Sequence, residues 1–457
     1  MPADVLKNSL FRLGEWVAEN GIEADGPYRA ARDLLLGTPP RIRDGSGDPL
    51  LQQGEGTLEA SRRLVLELDG GVLPIQGPPG CGKTYRGARM ICDLVRAKKT
   101  VGITAVSHKV IRNLIDQTLE AAQEEGLSFE CIQKVGRESE EDHPAIKEVV
   151  ENEAVAAALE SGEVQVAAGT AWLWAREEMA ETVDVLFVDE AGQMSLANVL
   201  AVAPAARNIV LLGDPQQLEQ PQQGSHPEGA GVAALEHVFA DHKTMPKTQG
   251  LFLGETWRLH PEICAYTSEL FYEGRLHSRE ALERQQLVGD GPFEGAGLWF
   301  VPVDHEGNVN SSPEEVACIA ELLAALTGGG TLFQDADGKR SPLRLSDILI
   351  VAPYNAQVAA LAERMPDARI GTVDKFQGQE APVVIYSMTT SSPEEAPRGM
   401  EFLYSLNRRN VATSRAQCAC ILVANARLLE PKCRSPQQMK LANAFCRYVE
   451  VSQGFLG

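Results

Sequence analysis

Eight consecutive residues, Gly77-Pro78-Pro79-Gly80-Cys81-Gly82-Lys83-Thr84, have the types and spacing to hold a polyphosphate. The pattern is Gly, four residues, then Gly-Lys-Thr. Glycines let successive backbone N–H groups converge on phosphate oxygens. A helix opening at Thr84 adds the positive end of its dipole. Lys83 would reach the β- and γ-phosphates, and Thr84 would hold Mg²⁺. A plain Gly/Pro turn before an ordinary helix is the alternative. The apolar run before the loop and the helical pattern after it favour the phosphate loop.

A second group completes that chemistry. Val185-Leu186-Phe187-Val188 is an apolar strand of the kind parallel sheets bury, and Asp189-Glu190 stands at its end. Asp189 suits a water-mediated contact to Mg²⁺. Glu190 suits the orientation and deprotonation of an attacking water. Asn208-Ile209-Val210-Leu211-Leu212 then runs into Gly213-Asp214, followed by Pro215-Gln216-Gln217. A glutamine here could touch the γ-phosphate or its water.

These residues need strands and helices to carry them. Val72–Ile75 reads as the strand before the phosphate loop, although Pro74 sits awkwardly in it. A helix is expected from Thr84 to about Val95. Thr100–Val106 reads as a buried strand ending in Ser107-His108-Lys109, with a helix over Val110–Leu119. Open α/β sheets place ligands at such strand ends, whereas a helix cap is the structural alternative for Ser107 and His108. Val164–Ala168 is another strand, followed by Gly169-Thr170. Residues 120–162, rich in Glu and Ala, read as a helical insertion. Residues 1–57 read as a helical N-terminal appendage, with helices near Val5–Glu19 and Tyr28–Leu36 and a turn-rich linker at Asp44–Pro49. Residues 222–253 read as a Gly-, Pro- and His-rich connection, in which His226, His237 and His242 lack metal-ligand spacing.

The second half repeats the αβ rhythm without a phosphate loop. Strands are expected at Leu298–Val303, Ile348–Pro353, Ile370–Asp374, Val383–Met388 and Cys420–Ala424. Glu314–Leu326 has helical periodicity.

The chain has 457 residues, 44% hydrophobic and 23% charged, ordinary values for a globular protein with several domains. No apolar run is long enough to span a bilayer. The first residues do not resemble a secretory signal, so a cytoplasmic location is expected. Nine scattered cysteines argue for reduced thiols. Cys418, Cys420, Cys433 and Cys446 read as core and scattered thiols rather than a metal site. A net charge of −21 weighs against nucleic acid unless a local track binds it.

Taken together, the motifs resemble superfamily 1 helicases, in the branch that includes the nonsense-mediated-decay helicase and its nuclease-fused relatives. The likeness covers about residues 58–450. It rests on GPPGCGKT at 77–84, TAVSHKVIRNL at 104–114, GT at 169–170, DEAGQ at 189–193 and GDPQQLEQP at 213–221. It continues with ETWRLHPEI at 255–263, VAPYNAQV at 351–358, GTVDKFQGQE at 371–380 and NVATSRA at 410–416. More narrowly, the wording resembles the helicase half of bacterial fusions with an RecB-like nuclease, for which residues 1–57 leave no room.

The resemblance implies an α/β fold of two tandem RecA-like P-loop domains, 58–250 and 251–457. ATP and Mg²⁺ would lie in the cleft between them. Gln217 would sense the γ-phosphate, Arg258 and Arg415 would be arginine fingers, and Glu380 would touch the ribose or phosphate edge. Ser107, His108, Asn113, Thr170, Thr372, Asp374 and Lys375 would contact single-stranded nucleic acid, with DNA favoured over RNA and 5′→3′ movement. Hydroxyl and backbone contacts of this kind position phosphates without reading bases. A nuclease domain or protein is the implied partner, and no membrane is. Ala60 and Ser61 stand where the family has an adenine-reading glutamine, and Trp257 stands where it has a tyrosine. A nucleotide-gated clamp that does not unwind and a phosphate-loop kinase for a small molecule are the competing readings.

Overall fold

The computed structural model describes residues 4–43, 49–137, 144–218, 231–239, 242–376 and 378–454. Parts of the expected linker (44–48), insertion (138–143) and connection (222–230, 240–241), and the end of the 213–221 motif, lie outside the described residues. The chain divides into two compact units with the boundary after Leu253, and the short segments Pro79–Cys81 and Gln216–Leu218 group with the second.

The first unit is built on eight strands: β1 (Val72–Gln76), β2 (Val101–Thr104), β3 (Cys131–Lys134), β4 (Ile146–Val149), β5 (Val166–Ala168), β6 (Val183–Asp189), β7 (Ala206–Gly213) and β8 (Leu251–Phe252). They form one sheet in the order β4-β3-β5-β2-β6-β7-β1-β8, parallel throughout. Its central strands are buried on both faces, as their unbroken apolar runs require. On one face α1 (Asp4–Asn20) and α2 (Arg29–Leu36) place Leu13, Ala30, Ala31 and Leu34 in a core with Val72, Leu186 and Ile209. Ser9 Oγ of α1 donates to Ala201 O at 2.6 Å. On the other face lie α3 (Thr57–Glu67), α4 (Lys83–Arg96) and α5 (His108–Glu124). There Gly87 of α4 lets the helix close on Leu212 of β7.

The insertion differs from its sequence reading. β3 and β4 extend the main sheet, and among the described residues only Asn152–Glu160 forms a new helix within it. Each strand has four residues, and Lys147 and Glu148 charge the outermost one. Short charged edge strands are how sheets blunt their margins, and that makes them look like helix surface in sequence.

Pro74 costs the sheet no ladder bond. Gly71 O and Gly77 N–H bond to β7, so the alternate position 74 faces β8. Pairing with β8 begins only at Ile75.

The second unit contains β9 (Glu255–Thr256), β10 (His277–Ser278), β11 (Gln286–Gly289), β12 (Gly297–Pro302), β13 (Thr331–Gln334), β14 (Arg340–Pro342), β15 (Ile348–Val351), β16 (Arg369–Gly371), β17 (Ala381–Ser387), β18 (Ala416–Ala424) and β19 (Gln453–Gly454). A parallel sheet, β16-β15-β17-β18-β12-β19, carries the core residues Val301, Ile350, Ile385 and Ile421. Helices Pro313–Thr327 and Pro436–Val451 start with a serine cap and a proline in the first turn. Cys418 and Cys420 are buried inside β18.

Candidate nucleotide and nucleic-acid sites

The phosphate loop joins β1 to α4. Gly82 immediately precedes the helix with φ of 72°, a left-handed conformation that an ordinary side chain adopts only at a cost of about 1–2 kcal/mol. Lys83 folds back so that its Nζ donates to Gly77 O at 2.7 Å, and any Cβ on Gly77 would collide with the lysine stem. Thr84 sits in the first turn, beside the helix N-terminus.

Asp189 closes β6, and β7 separates that strand from β1. At about 4.8 Å per strand, the Asp189-Glu190 turn stands roughly 10 Å along the sheet from the loop. Asp189 is 3% exposed, and its Oδ1 accepts the Glu190 N–H at 2.9 Å. Burial first, then the Glu190 carboxylate, hold its carboxyl well above the usual range, while Lys83 opposes the shift. Glu190 has φ of 54°, a strained conformation at a strand end of the kind found at functional sites. Two crowded carboxyl groups and a threonine hydroxyl are hard oxygen donors, a set that fits Mg²⁺.

The turn behind this pair is locked by backbone contact. Ala191 N–H donates to Leu212 O at 2.8 Å. A Cβ on Gly192 would lie 2.6 Å from the carbonyl carbon and oxygen of Asp214, and one on Gly213 would lie 2.5 Å from Gly192 N. Gln76 braces the same region. It is fully buried, its Nε2 donates to Asp214 Oδ1 at 3.3 Å, and its Oε1 accepts Met245 N–H at 2.8 Å. Sequence reasoning passed over Gln76, and it quoted Gly192 and Gly213 within their motifs without giving either a role.

The second unit brings its two predicted arginines together. Arg258 Nε pairs with Glu380 Oε2, and Arg258 Nη1 donates to Ser414 O at 3.3 Å, next to Arg415. Gln417 Nε2 donates to the other Glu380 oxygen at 2.9 Å. Arg415 is 3% exposed, and its carbonyl accepts Ala381 N–H at 3.0 Å. Glu380, read from sequence as a contact to the nucleotide ribose or phosphate edge, is paired here with the Arg258 guanidinium. Gln217 is buried and groups with this unit, where Asn410 Nδ2 donates to Gln216 O at 2.8 Å. Trp257 is 57% exposed, with the Arg279 guanidinium 3.5 Å from its ring centroid. Ala60 and Ser61 are buried within α3, where Ser61 Oγ donates to Leu58 O.

The predicted nucleic-acid residues other than Asn113 fall at carboxyl ends of strands in both units. Ser107 and His108 follow β2, and Thr170 follows its neighbour β5. Ser107 also caps α5, accepting Val110 N–H at 3.3 Å, so the structural alternative holds for its hydroxyl. His108 Nδ1 is buried without a hydrogen-bond partner, and burial, helped by Lys134, keeps the imidazole more acidic than usual. Asn113 is exposed on α5. Thr372, Asp374 and Lys375 follow β16, with Lys375 Nζ turned to Ile370 O at 2.8 Å.

Comparison with known proteins finds matches to both halves of the chain. Two family models, each described as an AAA domain, match residues 58–240 and 233–427. The DNA polymerase alpha-associated DNA helicase A of Schizosaccharomyces pombe is 24% identical over 410 residues, 75% of this chain and 59% of the relative. The DNA replication ATP-dependent helicase/nuclease DNA2 of Bos taurus is 26% identical over 426 residues, 84% of this chain and 38% of the relative. The regulator of nonsense transcripts 1 homolog of Drosophila melanogaster is 24% identical over 416 residues, 78% and 33% respectively. The chain thus spans between 33% and 59% of these relatives' own length. Among solved structures, the Arterivirus nonstructural protein 10 helicase with DNA has a TM-score of 0.43 at 14% identity, covering 81% of this chain and 63% of that one.

Two parallel α/β units, one carrying a phosphate loop and an Asp-Glu pair whose aspartate is buried, make this a P-loop NTPase of tandem RecA-like design. Within that class, the two AAA-domain matches and the helicase relatives just described support a superfamily 1 helicase of the branch that holds the nonsense-transcript and DNA-replication relatives.

Proposed function

We propose that the chain hydrolyses ATP and uses the cycle to step 5′→3′ along single-stranded nucleic acid, DNA in preference to RNA. The observation that carries this reading is the phosphate loop and the strained Asp189-Glu190 turn on one rigid sheet. Lys83 and the loop N–H groups hold the β- and γ-phosphates. Thr84 and Asp189 would hold Mg²⁺, which would supply neutralisation of charge on those phosphates. Glu190 accepts a proton from the attacking water at its carboxylate. Gln217 reads the γ-phosphate. Arg258 and Arg415 stabilise charge on the transferring group, and Arg258 reaches it in an orientation set by Glu380. Ser107, His108, Asn113 and Thr170 in the first unit, and Thr372, Asp374 and Lys375 in the second, contact the strand backbone.

The relatives' names support helicase work, and one names a nuclease activity. A nuclease partner for this chain is part of the same proposal. Strand displacement on matched duplexes with 5′ or 3′ tails, in DNA and RNA, is the test. Opening of the 5′-tailed DNA duplex is expected. Stimulated hydrolysis with neither duplex opened would replace stepping with a nucleotide-gated clamp.

A further inference from the structure

The carboxyl edge of the second sheet carries a cation that the mechanism above leaves unused. β15 and its neighbour β16 lead there to Tyr354 and to Thr372 and Asp374. The short helix Met400–Leu403 sets Phe402 beside them, 5.6 Å from the Tyr354 ring and tilted 36° to it. Two guanidinium groups lie against Phe402, that of Arg398 at 4.0 Å from the ring centroid and that of Arg408 at 4.5 Å. Their situations differ. Arg408 Nη1 is drawn to Asp374 Oδ2 at 3.3 Å. Arg398 is exposed and forms no ion pair among the described residues.

An exposed arginine ordinarily samples many rotamers, and fixing it costs entropy. A ring beneath the guanidinium holds it flat through cation–π attraction and leaves its planar N–H edge free. That edge is shaped for two oxygens of one phosphate. The placement also matters, because the carboxyl ends of parallel strands are where α/β sheets take ligands. On a chain of net charge −21, an unpaired, pre-oriented cation there is the local attraction that a polyanion needs.

We propose that Arg398, positioned by Phe402, binds a backbone phosphate of a single strand crossing this edge, without regard to base sequence. The inference rests on the nucleic-acid reading above. The test uses the full chain and a fluorescent single-stranded oligothymidylate, titrated over a range of KCl concentrations. Arg398→Ala is expected to weaken binding and to flatten the dependence of log K on log salt by about 0.7, one phosphate contact on a single strand. Arg398→Lys keeps the charge and is expected to keep the wild-type slope, with a smaller loss of affinity. Phe402→Leu preserves an apolar contact but removes the platform, and is expected to weaken binding in the same direction. A wild-type slope in Arg398→Ala, on a wild type that itself binds with normal salt sensitivity, would overturn the Arg398 contact alone. A wild type that fails to bind the oligonucleotide would overturn the nucleic-acid reading and this contact with it.

Discussion

In the first unit every nucleotide residue follows a strand: the phosphate loop after β1, Asp189 at the close of β6, Gly213-Asp214 at the end of β7. In the second unit two of the nucleotide candidates precede theirs, Glu380 just before β17 and Arg415 just before β18, while Arg258 follows the two-residue strand β9. The carboxyl ends of the second sheet hold the nucleic-acid candidates instead. The two sheets share a parallel design, so the design alone does not decide which end meets the nucleotide. In the mechanism proposed above, the first unit must supply converging N–H groups and a helix dipole, and those exist only where strands give way to helix N-termini. The second supplies guanidinium groups, which need a rigid anchor but no dipole. A strand start serves, once Glu380 and Ser414 fix the direction of Arg258.

This division of labour can be broken at either end. Lys83→Ala should have the largest effect, loss of nucleotide hydrolysis to background with weakened nucleotide binding, measured by phosphate release and by titration of a fluorescent nucleotide. Arg415→Ala should separate the two ends. Turnover is expected to fall by roughly 10³–10⁵, the range of a missing arginine finger, while nucleotide affinity changes little because the finger acts on the transition state. An Arg415→Ala protein with wild-type turnover would leave Arg415 without a part in the chemistry. The smallest effect should come from Gly192→Ala. Forcing a methyl group against the Asp214 backbone is expected to cost about 1–3 kcal/mol, as overpacking does. Urea unfolding of the first unit would show it, and unchanged stability would mean that the two turns can part.

What could be read from sequence follows the same contrast. Long apolar runs such as Val185–Val188 and Cys420–Ala424 announced buried strands, because a strand covered on both faces has no polar side to confuse the pattern. The strand of four residues, Ile146–Val149, did not, since its neighbours and its own charges belong to an edge. The phosphate loop and the Asp189-Glu190 pair were legible because their chemistry is local. The setting of Phe402 and its guanidinium groups beside Tyr354 was not. It depends on a short helix meeting the end of β15, a distance in space that residue spacing does not encode. Gln76 was hidden for a related reason: its partners, Asp214 and Met245, lie far along the chain.

The abutting glycines at 192 and 213 carry a mechanical implication. With no side chain between them, two peptide planes rest directly on each other, as two cogs mesh without play. The acid proposed to draw the proton from water could then not shift without turning the bend that follows β7. Timing of bond breakage and notice of its completion would pass through a single stiff joint, leaving little slack in which fuel could be spent without being registered.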